Sequence, residues 1–186
     1  MITVGIDEVG RGCWAGPLVA GAVILATPIA GLKDSKKLSA KRRSELAVLI
    51  YAHAAAVGIG WVWPHEIDEL GLTKSVALAM RRAVEQITSS YDEVIIDGNI
   101  NYLPDIPGTV AVIKADDTVA VVSAASIAAK VARDRYMIDI AAAEYPLYGF
   151  ERHVGYGTTL HVAALQQYGS CALHRMSYKP IKALLT

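Results

Sequence analysis

Four acidic residues, Asp7, Glu8, Asp97 and Asp116, are the side chains of this sequence best placed to do chemistry. Asp7 closes the alternation Ile2, Val4, Ile6; Asp97 ends the stretch EVIID; Asp116 follows the apolar run that starts at Val110. Each stands where a strand would leave the core. In an α/β sheet such ends converge, so acids far apart in sequence can meet. Carboxylates brought together repel and raise each other's pKa, a conflict that a divalent cation removes. An oxygen-only ligand set, without His or Cys, favours hard Mg²⁺ or Mn²⁺ over zinc. Neighbours on a strand point to opposite faces, so Asp7 is the expected primary ligand. Glu8 would reach in from the side or through water, helped by a distortion that Gly10 and Gly12 permit. One strand-end aspartate is usually only a cap, but three of them with a glutamate beside the first call for another explanation.

The elements that must position these acids follow from periodicity. Residues 2–9 alternate as a strand, and 17–25 (PLVAGAVIL) read as a second strand buried on both faces, the two forming a hairpin. Ser39 is placed to cap a helix running to about Ala56, with Leu46, Leu49, Ile50 and His53 at helical spacing. A strand over 57–62, a brief helix opened by Pro64, and an amphipathic helix over 72–87 come next. Strands are expected at 93–97 and 110–114, then a long Ala-rich helix from a Ser123 cap to about Glu144. The tail carries HVGYGTTLH, an amphipathic stretch to Tyr168 and a basic segment over 174–182. Strands interleaved with helices argue for α/β, with an antiparallel hairpin first and parallel strands added to it.

The 186 residues suit one domain over 1–186. With 53% hydrophobic and 19% charged residues, general disorder is excluded. No apolar run approaches the ~20 residues of a membrane span, and the start of the chain does not read as a signal peptide. Cys13 and Cys171 form no CxxC pair, so the expectation is a reduced, cytoplasmic chain, with Cys13 a small buried residue. Lys+Arg and Asp+Glu each number 18, so any nucleic acid must be met by a local patch rather than by net charge. Lys33, Lys36, Lys37, Lys41, Arg42 and Arg43 supply one, interrupted only by Asp34. His153, His161 and His174 are expected to be satisfied polar groups or phosphate contacts rather than metal ligands. Trp61 and Trp63, alternating around Val62, are expected to pack.

The strings Asp7-Glu8-Val9-Gly10-Arg11-Gly12 and Ala15-Gly16-Pro17-Leu18-Val19 resemble the opening of ribonuclease HII, the type 2 ribonucleases H. The likeness continues through Asp34-Ser35-Lys36-Lys37-Leu38, Glu66-Ile67-Asp68-Glu69-Leu70 and Ile96-Asp97-Gly98-Asn99, then Lys114-Ala115-Asp116. It runs on through 123–134 (SAASIAAKVARD), His153, Gly155, Tyr156, Thr158 and 174–177 (HRMS), in the family's order over nearly the whole chain. Ala115 replaces a common Gly and Met176 a common Arg; Asp117 adds an acid beside Asp116, but the position after Lys-Ala favours Asp116.

The resemblance implies a ribonuclease H-like fold: a central mixed sheet flanked by helices, with a small helical C-terminal portion. It implies an endonuclease that cuts RNA in RNA/DNA hybrids and 5′ of ribonucleotides embedded in duplex DNA, in replication and repair. The four acids map onto Asp7, Glu8, Asp97 and Asp116 as ligands of two Mg²⁺ or Mn²⁺ ions, which in such sites lie about 3.5–4 Å apart. Gly10, Arg11 and Gly12, with Tyr156, would read the ribonucleotide; Ser35, Lys36, Lys37, Lys130 and Arg133 would touch phosphates. No sliding-clamp motif is seen over Ser177–Thr186, and a monomer is expected. Two rivals stand beside this reading: a junction-resolving nuclease of the same superfamily, and a catalytically silent nucleic-acid binding domain. The complete acid set argues against the second, because bare carboxylates repel phosphate.

Overall fold

The computed structural model describes residues 1–185. Five strands form one mixed sheet in the order β3-β2-β1-β4-β5: β1 (Thr3–Val9), β2 (Leu18–Leu25), β3 (Ala54–Val62), β4 (Glu93–Asp97) and β5 (Thr109–Val112). The hairpin is antiparallel, β3 adds antiparallel to β2, and β4 and β5 extend the other edge in parallel. This is the mixed sheet that the interleaved pattern predicts.

Helices cover both faces. α3 (Leu72–Val84) lies on one, burying Val76, Ala79, Met80 and Ala83 against Val4, Ile6, Ala20, Ala22 and Ile96. α1 (Ala40–His53) and α5 (Ala120–Arg135) lie on the other, where Leu46 and Ile50 meet Val23, Ala124, Ala125 and Ile127. α5 sits very close to the sheet, since a Cβ at Gly5 or Gly21 would strike its main chain at Val121 or Ala125. Only glycine allows that approach, and it brings α5 side chains directly over the middle of β1. The short helices α2 (Pro64–Leu70), α4 (Ala115–Thr118), α6 (Ala142–Glu144), α7 (Phe150–His153), α8 (Thr159–Tyr168) and α9 (Lys179–Leu185) complete the chain. No helix among the described residues is long and apolar enough to cross a membrane.

Several boundaries move. α1 stops at His53 because Ala54 turns extended and enters β3, pairing with Leu25. Leu49 is exposed rather than in the core. Ser39 caps α1 as expected, accepting from Arg42 N. Ser123 does not cap: the helix begins at Ala120 after an extended Val119, and the Ser123 hydroxyl, now internal, donates to the Asp116 carbonyl at 2.7 Å. The Ala-rich helix is not uniform to Glu144, for residues 136–141 widen into a π-helical turn. β5 ends at Val112, and Lys114 takes a left-handed conformation (φ 59°) to start α4. Asp116 therefore stands in a helical turn, not on a strand end.

Candidate active site

The register places the first two acids. Ile6 pairs with Ile96, so Asp7 and Asp97 occupy the next rung of adjacent parallel strands and share a face. That face lies under α5, and Ser126 of α5 hydrogen-bonds the Asp7 carboxyl. Asp116 N–H donates to Asp97 Oδ1 at 3.2 Å, which draws α4 onto the end of β4. Glu8 points from the opposite face of β1 and meets Arg11, whose Nη1 lies 3.0 Å from Glu8 Oε1. The loop after β1 thus turns a cation back onto the glutamate.

Electrostatically the four acids form one site. Burial pushes the Asp7 carboxyl well up, Glu8 and Asp97 push it further, and the Ser126 hydroxyl partly opposes them. Burial also raises Glu8, against the pull of Arg11, with Asp97 adding to the rise. Asp116 is raised by burial, Asp97 and Asp34, with Lys36 opposing. Asp97 is the common neighbour in all three. Asp7 and Asp116 are only 5% and 7% exposed, whereas Asp117 turns outward to Lys37 at 2.7 Å, which holds its carboxyl low.

Anionic, oxygen-only and mutually repelling, this donor set fits a hard divalent cation. Its side chains are not closed around one point: among the described residues no three His, Cys, Asp or Glu form a ready metal cluster. The cause is visible. Asp7 Oδ1 accepts from Glu8 N at 2.7 Å, Glu8 is held by Arg11, and Asp116 faces Lys36 Nζ at 3.8 Å.

The expected substrate contacts divide. Lys36 and Lys37 are exposed beside Asp116 and Asp117. Gly10, Arg11 and Gly12 form the turn leaving β1, next to the acids. Tyr156 keeps 40% of its surface exposed, with Lys130 Nζ 5.8 Å above its ring. Lys130 is also bound to Asp134 at 2.8 Å. Two expectations are corrected. Ser35 is buried and shares a 2.9 Å hydrogen bond with Ser126, which places it behind Asp7, out of reach of a phosphate. Arg133 is wholly buried, its guanidinium bound to the carbonyls of Pro17, Val154 and Ala15.

The histidines are satisfied polar groups, as the sequence suggested. His174 Nδ1 accepts from Cys171 N, its Nε2 meets His161 Nε2 at 3.0 Å, and His161 Nδ1 reaches the Tyr156 carbonyl at 3.0 Å. Both rings are buried. Trp61 and Trp63 stack with each other against the edge of Tyr136, and Cys13 is buried. Sequence reasoning missed Ser126 as the partner of Asp7. It also missed Arg175, Tyr178 and Asp68, the last of which accepts from Met176 N and Ser177 N and anchors the C-terminal segment.

A mixed sheet in this order, with buried carboxylates gathered where β1 and β4 meet α4 and α5, defines the class: a ribonuclease H-type nuclease fold. The ribonuclease HII family model matches residues 4–181. A ribonuclease HII of Halorhodospira halophila is 48% identical over 185 residues, 98% of this chain and 94% of that one. Among solved structures, ribonuclease H2 of Pyrococcus horikoshii OT3 superposes with a TM-score of 0.83 at 26% identity, covering 99% of this chain and 97% of that one. Bst-RNase HIII in complex with Mn²⁺ shares the fold, with a TM-score of 0.74 at 23% identity over 100% of this chain and 69% of that one. The chain belongs to the ribonuclease HII family, and it is a ribonuclease H endonuclease.

Proposed function

We propose that this chain hydrolyses the RNA strand of RNA/DNA hybrids and incises duplex DNA 5′ of an embedded ribonucleotide, leaving a 5′-phosphate. The observation that carries the reading is the placement of Asp7 and Asp97 side by side, one position past the paired Ile6 and Ile96, with Asp116 bonded to Asp97, beside a loop of unusual backbone. In this reading Asp7, Glu8, Asp97 and Asp116 hold two Mg²⁺ or Mn²⁺ ions. Bound there, such ions activate a water and stabilise the leaving 3′ oxygen.

The chain's own groups do the rest. Lys36 and Lys37, exposed beside Asp116 and Asp117, would neutralise backbone phosphates next to the acids. Arg11, beside Glu8 at the start of the loop, would place a positive charge close to the scissile phosphate, while Glu8 would serve as one of the ligands. Gly10 (φ +92°) lets the main chain approach the sugar, where peptide groups can meet both hydrogen-bonding modes of a 2′-OH. Tyr156 offers its exposed face to the sugar or base beside the cut. All four acids come from one chain, so a monomer suffices for the chemistry.

The test is cleavage of three end-labelled substrates with and without added Mg²⁺ or Mn²⁺: duplex DNA with one ribonucleotide, a long RNA/DNA hybrid, and a four-way DNA junction. Metal-dependent cutting of the first two, mapped to the 5′ side of the single ribonucleotide, is expected. Cutting of the junction alone would favour a resolvase instead.

A second outcome bears on Tyr156. Removal of one stacking contact costs about 1–3 kcal/mol, roughly one to two decades in rate. Tyr156→Ala is expected to lose that much on the single-ribonucleotide duplex and less on the long hybrid, read as kcat/KM at saturating metal. Equal losses would assign Tyr156 to general binding.

A further inference from the structure

The two largest fully buried side chains of the protein are not apolar: they are Arg133 and Arg175. Neither forms an ion pair with a carboxylate among the described residues. A buried charge without a counter-charge costs several kcal/mol, and hydrogen bonds must stand in for the lost water. Both guanidiniums find those bonds on main-chain carbonyls of the loops beside the acids. Arg133 donates to Pro17 O at 2.8 Å, Ala15 O at 3.1 Å and Val154 O at 2.9 Å. Arg175 donates to Gly16 O from Nε at 3.1 Å and from Nη2 at 2.9 Å, and to Arg11 O at 3.1 Å. The Tyr178 hydroxyl accepts from Arg175 Nη1 at 2.8 Å and donates to the same Arg11 carbonyl at 2.6 Å.

These bonds link two segments far apart in sequence. Gly10, leaving β1, and Gly155, before Tyr156, both back onto Arg133: a Cβ at Gly10 would lie 2.5 Å from its Nε, and one at Gly155 3.4 Å from its Nη2. Trp14 N–H donates to the Gly155 carbonyl at 2.8 Å, and Arg175 N–H to the Trp14 carbonyl at 2.9 Å. Val154, whose carbonyl Arg133 holds, is a β-branched residue at φ 44°, a conformation that persists only where the surroundings impose it. Because a peptide unit is planar, two donors on Arg11 O also fix the direction of the Gly12 N–H.

We propose that Arg133, Arg175 and Tyr178 are positioning residues that brace the Gly10–Gly12 loop against the Gly155–Gly157 loop, so that the two read one ribonucleotide as a rigid unit. This rests on the reading that these loops recognise the ribonucleotide. A long hybrid offers a 2′-OH at every register, so loosened loops still find a productive one. A single embedded ribonucleotide offers one register, and there the spacing between the loops decides the rate.

Tyr178→Phe tests the brace gently: it deletes the hydroxyl bonded to Arg11 O while keeping the ring, which lies 5.2 Å from Arg175 Cζ. The expected result is about a tenfold fall in kcat/KM on the single-ribonucleotide duplex, the effect of one good hydrogen bond, against less than about threefold on the long hybrid. Melting temperature, read on the same samples, is expected to stay within about 3 °C. Tyr156→Ala and the double variant complete a cycle. If the loops act as one unit, selectivity in the double variant falls no further than in Tyr156→Ala. Multiplying losses, or a Tyr178→Phe loss equal on both substrates while Tyr156→Ala remains selective, overturns the brace and leaves the loop reading intact. If Tyr156→Ala shows no selectivity, the loop reading itself fails, and the brace with it.

Discussion

Asp7→Asn and Asp97→Asn are each expected to lower cleavage by at least about three decades, about 4 kcal/mol of transition-state stabilisation. The amide keeps the shape of the side chain but removes the charge that would hold a divalent ion and help carry the phosphoryl chemistry. Stability is expected to move the other way for Asp7. Its carboxylate is buried and sits against the charges of Glu8 and Asp97, so neutralising it removes a repulsion and a desolvation cost together. Asp7→Asn should therefore melt at a temperature no lower than the wild type, with a gain of about 1 kcal/mol. Activity and thermal denaturation measured on one preparation check both halves. A variant that cleaves within tenfold of wild type would remove Asp7 from the proposed ligand set. One that is inactive but strongly destabilised would make the aspartate a structural residue.

Acid should unfold this protein through its histidines. Burial, with each ring's histidine neighbours adding to it, pushes His161 and His174 down to about 4, against about 6.5 for an unfolded chain. The unfolded state therefore binds protons first as pH falls. The stability these neutral rings contribute is fully present above pH 6.5, is lost through the window from 6.5 to about 4, and levels off below it. For the pair the loss is expected to reach about 3 kcal/mol or more. Protonation breaks a specific chain, since His174 can donate from Nε2 to His161 only while His161 Nε2 carries no proton. The raised pKa values of Asp7, Glu8 and Asp116 oppose this trend, because protonating them favours the folded state. Denaturant midpoints from pH 7.5 to 4.5 for wild type and His161→Asn separate the two. Asn can keep the donor to the Tyr156 carbonyl and cannot titrate, so a shallower slope is expected; a slope equal to wild type would place the acid sensitivity elsewhere.

The two outcomes share one cause: this fold buries ionisable groups where it needs fixed geometry. Asp7 lies under α5 with Ser126 and Ser35 behind it. The histidine chain ends on the carbonyl of Tyr156, and the arginines end on the carbonyls around Gly10 and Gly155. Loops that carry the proposed recognition are held from inside the protein rather than by their own sequence.

Sequence alone settled the order of the elements, the hairpin, the helix cap at Ser39 and the family. Each depends on near neighbours along the chain: alternation of period two, helical spacing, a hydroxyl three residues from an amide, strings of residues in a fixed order. The acids were legible for the same reason, since an Asp that closes an apolar run stands out wherever the strand lies, although only Asp97 ends its strand: β1 runs on past Asp7 to Val9. Only the tertiary structure decided that Asp7 and Asp97 lie side by side, one position past the paired Ile6 and Ile96, because register comes from the parallel pairing of β1 with β4. It alone put Asp116 in a helical turn, where a left-handed Lys114 breaks the run that reads as continuous strand. Ser35 and Arg133 show the limit most plainly. By residue type they suit a phosphate, and within their own segments nothing forbids it. Burial is set by what packs on them from elsewhere: Ser126 of α5 over Ser35, and the carbonyls of Ala15, Pro17 and Val154 around Arg133. A guanidinium is drawn inside when distant loops offer it enough acceptors, and no local pattern records that supply.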